Sequence, residues 1–244
     1  MSGDFFIGWA ATPPRALRGV LLGAGLAVGL GLPAAGLLLG ATAQDPAPPG
    51  YATVPGRPGL PDLPSEEALR GVILDGPSPL LQLPGGRTLI LADDGKYGPT
   101  LDRDALRGRM VAAEGFVLRR GSIEMLVLRQ PPTPLDDVAT VPPPEPLGRW
   151  RITGEICDGK CAGGAMQPGI GIGHRACATL CLDGGIPAVF VATAPVAGHA
   201  FLVLGDATGG PALPAMRDLI GRRVTLEGAV LRQGNTLVFH AAMP

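Results

Sequence analysis

The sequence predicts a mainly β protein with two tandem OB-like barrels that follow one N-terminal transmembrane helix. Three observations support this prediction: an uncharged apolar stretch near the N-terminus, two copies of one β-rich pattern, and proline-rich stretches before and between the copies. Short strand-like runs bounded by glycine turns favour small Greek-key barrels, with β-sandwiches as the alternative. A chain of 244 residues is long enough for two such domains.

The overall composition argues against a nucleic-acid partner. The formal net charge is −1, and aromatic residues make up only 4% of the chain. Binding to nucleic acid relies on a basic field and, for single strands, on aromatic rings that stack with bases. We therefore expect other kinds of partner.

The N-terminal stretch predicts a membrane anchor. Residues 19–44 contain no charged side chain, and roughly 20 apolar residues suffice to cross a bilayer as a helix. Arg15 and Arg18 precede the stretch, and the next basic residue is Arg57. The positive-inside rule then places residues 1–18 in the cytoplasm. We expect a single-pass protein of the inner (cytoplasmic) membrane, with its C-terminal domains periplasmic or otherwise extracytoplasmic.

The alternative to a retained signal-anchor is a cleaved signal peptide. Ala41-Thr42-Ala43 resembles a small-residue cleavage site. The apolar stretch is longer than the roughly 7–15 residues usual in signal peptides, which favours the anchor.

Two proline-rich stretches divide the rest of the chain. Residues 45–64 and 130–148 contain seven prolines each and show no apolar periodicity. Such composition is typical of semi-rigid, extended spacers. They delimit two predicted β domains, residues 65–129 and residues 149–244.

The two β domains are copies of one sequence. Residues 106–121 align with residues 219–234 at a constant offset of 113, and ten of these 16 positions are identical. Further upstream, residues 71–76 align with residues 154–159 at an offset of 83. Each copy reads as five short strands with one short helix, predicted between the second and third strands and ending at a glycine.

The change of offset predicts a 30-residue insertion in the second copy, between Gly159 and His199. Cys157 precedes it on the first strand, at the position of Leu74 in the first copy. The first copy has no cysteine or histidine, so we expect a structural or docking role for it. The insertion contains four residues that could take part in chemistry, Cys161, His174, Cys177 and Cys181.

These residues and Cys157 form the candidate metal site. The segment after residue 173 predicts a short helix that places His174, Cys177 and Cys181 on one face. Cys157 and Cys161 can approach that face from the strand end and the following loop. Four of the five ligands could hold zinc tetrahedrally, and the soft sulfurs would equally suit copper.

The alternative is a disulfide framework among Cys157, Cys161, Cys177 and Cys181, because an even number of cysteines is usual in an oxidising compartment. One disulfide with a reactive Cys177/Cys181 pair is a further possibility, although C-x3-C is not the redox motif C-x-x-C. Asp158 reads as a turn residue. The sequence shows no recognisable catalytic arrangement, so we predict no catalytic residues and a protein that is not an enzyme.

The stretch from Cys161 to Pro187 resembles a motif of uncharacterised, membrane-anchored bacterial extracytoplasmic proteins. The motif reads Cys-x-Gly-x-Met-x-Pro-Gly, then His-Arg-Ala-Cys-Ala-x-x-Cys-x-x-Gly-Gly-Ile-Pro; this chain has one more residue before Met166 and so reads Cys-x-Gly-x-x-Met-x-Pro-Gly in the first part. The resemblance implies that the stretch is one unit, and it implies no activity. We expect an accessory subunit or assembly factor of a membrane redox or metal system. A periplasmic thiol oxidoreductase and a purely structural interaction module are the alternatives.

Overall fold

The computed structural model describes residues 14–42, 65–106, 108–138 and 140–243. Helix α1 (Arg15–Thr42) forms one unit by itself. Its stretch Arg15–Leu39 has a mean hydropathy of 1.9 and is long and apolar enough to cross a membrane. A signal sequence would meet the same test, so both predicted alternatives stand. The predicted spacer at residues 45–64 and most of the predicted cytoplasmic segment lie outside the described residues.

The first copy folds into a closed five-stranded barrel, called barrel 1 here. Its strands pair in the order β1-β2-β3-β5-β4, and β4 pairs back with β1. β3 and β5 run parallel, and the other four pairings of the barrel are antiparallel. The elements are β1 (Ser65–Leu74), β2 (Leu80–Gln82), β3 (Thr88–Ala92), α2 (Arg103–Leu106), β4 (Arg109–Arg120) and β5 (Ile123–Leu128).

The second copy folds into barrel 2, with the same strand order and the same parallel pair. It closes as β7-β8-β9-β11-β10, with β9 and β11 parallel. Two OB-like barrels are therefore confirmed, and the sandwich alternative is wrong because each sheet closes on itself. The remaining elements are β6 (Thr133–Val138), β7 (Glu145–Asp158), α3 (Arg175–Asp183), β8 (Ala188–Val196), β9 (His199–Asp206), β10 (Arg223–Gln233) and β11 (Thr236–Ala241).

The strand registers confirm the repeat. Gly71 pairs with Val111 in barrel 1, and the residues at offsets 83 and 113, Gly154 and Val224, pair in barrel 2. The parallel pairs also match, since Ile90 faces Met125 while Val203 faces Val238. The duplicated sequence thus produces duplicated backbone pairing, strand by strand.

The position of the extra residues in barrel 2 can be refined from the pairing. Leu80 pairs with Ile90 in barrel 1, and Val189 pairs with Val203 at the corresponding place in barrel 2. Most of the extra residues therefore lie between β7 and β8, and a few lengthen the hairpin between β8 and β9. We call residues 159–187 the insertion.

Two details differ from the sequence-based expectation. The short helix follows the third strand, because β2 has only three residues flanked by prolines and gives no periodic signal. In barrel 2 a single 3-10 turn, Arg217–Leu219, takes its place. The segment at residues 130–148 is only partly a linker, since β6 pairs with β4 and β7 begins at Glu145. The proline in β6 is tolerated because β6 is an edge strand.

The apolar residues form two clusters: the interior of barrel 1 is one, and the outward face of barrel 1, the insertion and barrel 2 together form the other. Strands β3 and β5 of barrel 1 are buried on both faces: alternate residues such as Leu91 and Leu126 fill the barrel, while Ile90 and Met125 face outward. The outward set packs with the insertion and with the interior of barrel 2. The insertion therefore lies between two barrels, and this arrangement positions the site.

Candidate metal site

Cys157 occupies a core position near the end of β7. It pairs with Val189 of β8 and is buried, whereas the aligned Leu74 of barrel 1 is partly buried. Its thiol donates a hydrogen bond to the carbonyl oxygen of Gly169, at 3.1 Å. Cys157 lies outside both groups of side chains that are close enough together to hold one ion, so the structure separates it from the other predicted ligands.

Asp158 ends β7 and organises the start of the insertion. Its carboxylate is fully buried, and Oδ1 accepts a hydrogen bond from the backbone N–H of Cys161 at 2.8 Å. This bond fixes a π-type turn, Cys161–Ala165, that directs Cys161 into the core. Asp158 looked like an ordinary turn residue in the sequence, because an Asp-Gly pair after a strand has no other local signature.

Helix α3 supplies two more sulfurs. Cys177 and Cys181 are one helical turn apart and lie on the same face, with Cys181 buried and Cys177 half-buried. The helix ends at Gly184, as the Gly-Gly pair predicts. The sulfurs of Cys161, Cys177 and Cys181 all lie within 4.8 Å of one another, and we call these three residues the sulfur group.

The spacing of the sulfur group fits one metal ion. A metal–sulfur bond of about 2.3 Å separates two sulfurs on one tetrahedral ion by about 3.8 Å. Small side-chain rotations would bring the three sulfurs to that separation. All four cysteines are free thiols in the structure, so the predicted disulfides stay a prediction.

His174 joins a second group, with Asp158 and Cys161. Its Nε2 lies 3.1 Å from Asp158 Oδ2, and both side chains are almost completely buried. His174 ends a 3-10 turn and occupies the N-cap position of α3. Its side chain contacts Asp158, and its ring is not part of the sulfur group. The five predicted ligands are thus divided, and only Cys161 is common to both groups.

Two lysines belong to the site and were not predicted from the sequence. Lys96, from the loop after β3 of barrel 1, places its Nζ 2.9 Å from Cys177 Sγ and 3.5 Å from Cys181 Sγ. Lys160, next to Cys161, donates hydrogen bonds to the carbonyl oxygens of Asp93 and Gly95 at 2.8 and 3.0 Å. A signal was available: the chain has 20 basic residues, and these two are its only lysines.

The loop at residues 93–98, called the lysine loop here, is anchored on both sides of Lys96. Lys160 binds the carbonyls that precede it, and the N–H of Gly98 donates to the carbonyl of Gly184 at 2.9 Å. A Cβ atom on Gly184 would lie 1.9 Å from the Lys96 carbonyl oxygen, so this approach requires glycine. Barrel 1 therefore forms one wall of the site and is more than a spacer.

Burial dominates the electrostatics of the thiols. It raises the pKa of Cys157 and Cys161 well above the ordinary value, with nearby carboxylates adding to the effect. Burial, together with Asp158 and Cys177, raises the pKa of Cys181 to about 11. These three thiols are therefore protonated at neutral pH. Cys161 and Cys181 would lose their protons when an ion binds, because a coordinating thiol is deprotonated by the metal.

The other two histidines lie in barrel 2. His199 begins β9, and His240 lies on β11. Burial lowers the pKa of both, so both are neutral at pH 7.

No protein-family model, curated protein or solved structure gives a match to this chain. What is known of the protein's function therefore comes from its fold and from the geometry of its site.

Proposed function

We propose that the protein is a membrane-anchored, extracytoplasmic metal-binding protein that serves as a subunit or assembly factor of a membrane redox or metal system. The sulfur group carries the proposal, because three thiol ligands meet within 4.8 Å. Soft sulfur ligands favour copper(I) and zinc over hard cations.

Thiol chemistry is the alternative from a different functional class. A thiol oxidoreductase needs an accessible cysteine whose pKa is lowered, so that a thiolate can attack. Cys161 and Cys181 are buried, and their pKa values are raised. A site with these properties fits a role in holding an ion better than a role in attacking a disulfide.

The proposed location rests on α1 and its flanking charges. The helix is long and apolar enough to cross a membrane, and Arg15 and Arg18 lie at its N-terminal end. The positive-inside rule then favours an extracytoplasmic location for both barrels. Fusion of a reporter enzyme to the C-terminus, active only outside the cytoplasm, tests this orientation.

A partner protein is supported by exposed apolar side chains around the site. Among residues 65–106, 108–138 and 140–243, seven large apolar side chains are exposed. Four of these belong to the insertion or to the lysine loop, and exposed apolar clusters commonly mark protein interaction surfaces. They are Tyr97, Met166, Ile172 and Leu180.

The test is the metal content of the full-length chain, purified in detergent from an oxidising compartment. We expect close to one zinc or copper ion per chain by elemental mass spectrometry, with four thiols titratable after unfolding. Changing Cys161, Cys177 or Cys181 to serine should lower the metal content and the metal affinity in each case, because each change removes one of the three thiolates. Cys157→Ser is the matched control, since it alters a buried cysteine outside the sulfur group.

The same measurement can overturn the proposal. No bound metal and no free thiols would make the insertion a disulfide-stapled loop. No metal with four free thiols, in a folded protein that also fails to take up added ions, would leave the structural interaction module. Retention of the ion by all three serine variants would place the metal elsewhere in the chain.

A further inference from the structure

We propose that the sulfur group is selective for the monovalent ion copper(I) over zinc(II), and that Lys96 is the residue that determines this selectivity. The inference rests on the proposed metal-binding function and names the ion. Three features support it: the number of ligands, the position of Lys96, and the way in which Lys96 is held.

The number of ligands favours three-coordinate binding. Zinc is almost always four-coordinate in protein sites. Among the described residues, Asp158 is engaged by the N–H of Cys161 and by His174, and the two remaining predicted ligands are also held elsewhere. His174 is hydrogen-bonded to Asp158, and Cys157 donates its thiol hydrogen to Gly169. Three thiolates without a fourth ligand suit copper(I), which readily accepts trigonal sulfur coordination.

The position of Lys96 acts in the same direction. Its Nζ lies near two of the three sulfurs, on the side where Cys177 reaches the surface. An ammonium group has no lone pair, so it cannot serve as the fourth ligand. It also hinders a fourth ligand, or a water molecule, from approaching on that side.

The net charge of the metal–thiolate complex also distinguishes copper(I) from zinc(II). Three thiolates around copper(I) carry two net negative charges, whereas three thiolates around zinc(II) carry one. The attraction of a fixed cation grows in proportion to the opposing charge. Lys96 therefore stabilises the copper(I) complex more than the zinc(II) complex.

The backbone of the loop that carries the exposed Lys96 is held by the fold. Lys160 binds the carbonyls of Asp93 and Gly95, and Gly98 binds Gly184, so both sides of the lysine loop are tied to the insertion. Every other basic residue of the chain is arginine. A compact ammonium on a thin stem fits between two sulfurs where a planar guanidinium would be wider. Lys160 is thus a positioning residue for Lys96.

The experiment compares two ions in the full-length protein in detergent, under anaerobic reducing conditions. Copper(I) affinity is measured by competition with bathocuproine disulfonate, and zinc(II) affinity by competition with 4-(2-pyridylazo)resorcinol. The variants are Lys96→Met, which keeps the length and removes the charge, and Lys96→Arg, which keeps the charge. The control is Arg70→Met, which removes one exposed positive charge from β1 of barrel 1.

We expect the ratio of copper(I) to zinc(II) affinity to fall at least tenfold in Lys96→Met, less in Lys96→Arg, and not at all in Arg70→Met. X-ray absorption of the copper-loaded wild type should show three sulfur neighbours. An unchanged ratio in Lys96→Met, or four ligands around copper, would overturn the inference and leave the metal-binding function intact. Failure of the folded wild type to bind either ion would overturn the proposed function itself.

Discussion

Barrel 1 and barrel 2 share strand order, register and sequence, and they differ in the connection between their first two strands. In barrel 1 the chain passes from Leu74 to Leu80 in a short turn, whereas in barrel 2 the insertion fills the same place. The barrel is unaffected by this change, because its closure depends on strand pairs that the insertion does not enter. A duplicated scaffold can thus acquire a site in a loop while its framework stays constant.

The barrels also differ in the polar groups that stabilise them. Barrel 1 has a cluster in which Glu67 and Glu124 each contact both Arg87 and Arg119. At the aligned positions barrel 2 has Trp150, Ala200, Arg232 and Leu237, which cannot form such a cluster. The comparison predicts which changes affect both barrels and which affect one.

The largest effect should come from a glycine that both barrels require. A Cβ atom on Gly115 would lie 2.0 Å from the Val127 carbonyl oxygen, and one on the aligned Gly228 would lie 2.0 Å from that of His240. Gly115→Ala and Gly228→Ala should each lower the free energy of unfolding by about 3 kcal/mol, since the partner strand must move. Denaturant unfolding of the full-length protein in detergent, followed by tryptophan fluorescence and circular dichroism, measures this.

Because the outward face of barrel 1 packs in one apolar cluster with the insertion and barrel 2, both variants should shift a single common transition. Two separate transitions, each sensitive to one substitution, would show that the barrels unfold independently. In that case the two barrels would resemble each other in backbone geometry but would not be coupled in stability.

An intermediate effect should come from Gly184→Ala, which acts at the contact between barrel 1 and the insertion. The added methyl group would displace the Lys96 carbonyl and break the bond between Gly98 and Gly184. We expect a loss of about 2 kcal/mol in stability and weaker copper(I) binding in the competition assay. Gly173→Ala is the control, because its Cβ would meet no atom within 4 Å. Equal behaviour of the two variants would show that the lysine loop is not needed for the site.

The smallest loss of stability should come from Glu67→Gln, which acts in barrel 1 and has its full effect at neutral pH. Burial raises the pKa of Glu67, but hydrogen bonds from Arg87, Arg119 and Ser65 outweigh it and hold the pKa at about 2, below the ordinary 4.5. The stabilisation is therefore complete above about pH 5 and is lost as the pH falls toward the folded-state pKa. Glu67→Gln should cost about 1 kcal/mol at pH 7 and progressively less toward pH 3, measured by denaturant unfolding.

Glu66→Gln is the control for this prediction. Glu66 is adjacent on β1, and its ion pair with Arg129 is exposed, so its loss should have little effect at any pH. A Glu67→Gln difference that stays constant down to pH 3 would contradict the assigned origin of the stabilisation.

The two barrels could be predicted because the same sequence pattern occurs twice in the chain. The identical positions in residues 106–121 and 219–234 fixed the copies, and the offset of the upstream strand located the insertion. The strand β2 was harder to predict, since three residues between prolines give no periodicity. The partly paired segment at residues 130–148 was missed because proline content alone does not distinguish an edge strand from a linker.

The candidate site was only half predictable. Cys161, Cys177 and Cys181 were identified by residue type and helical spacing, and the structure brings them together. The role of Asp158 and the contact with Lys96 depend on how barrel 1 packs against the insertion. Packing between residues as distant in sequence as Lys96 and Cys177 leaves no local pattern. The rarity of lysine was the one available signal, and it is compositional rather than positional.

The outward face of barrel 1 has a consequence for biosynthesis. Ile90, Leu118, Ile123 and Met125 pack in one cluster with residues of the insertion and of barrel 2, which follow them in the chain. Because a chain is synthesised from its N-terminus, barrel 1 emerges with this apolar face bare until the insertion and β8 have followed. During that interval the incomplete chain exposes an apolar surface that is prone to aggregation. Its yield in a cell should therefore depend on how quickly the second half arrives and on whether a chaperone shields the first half meanwhile.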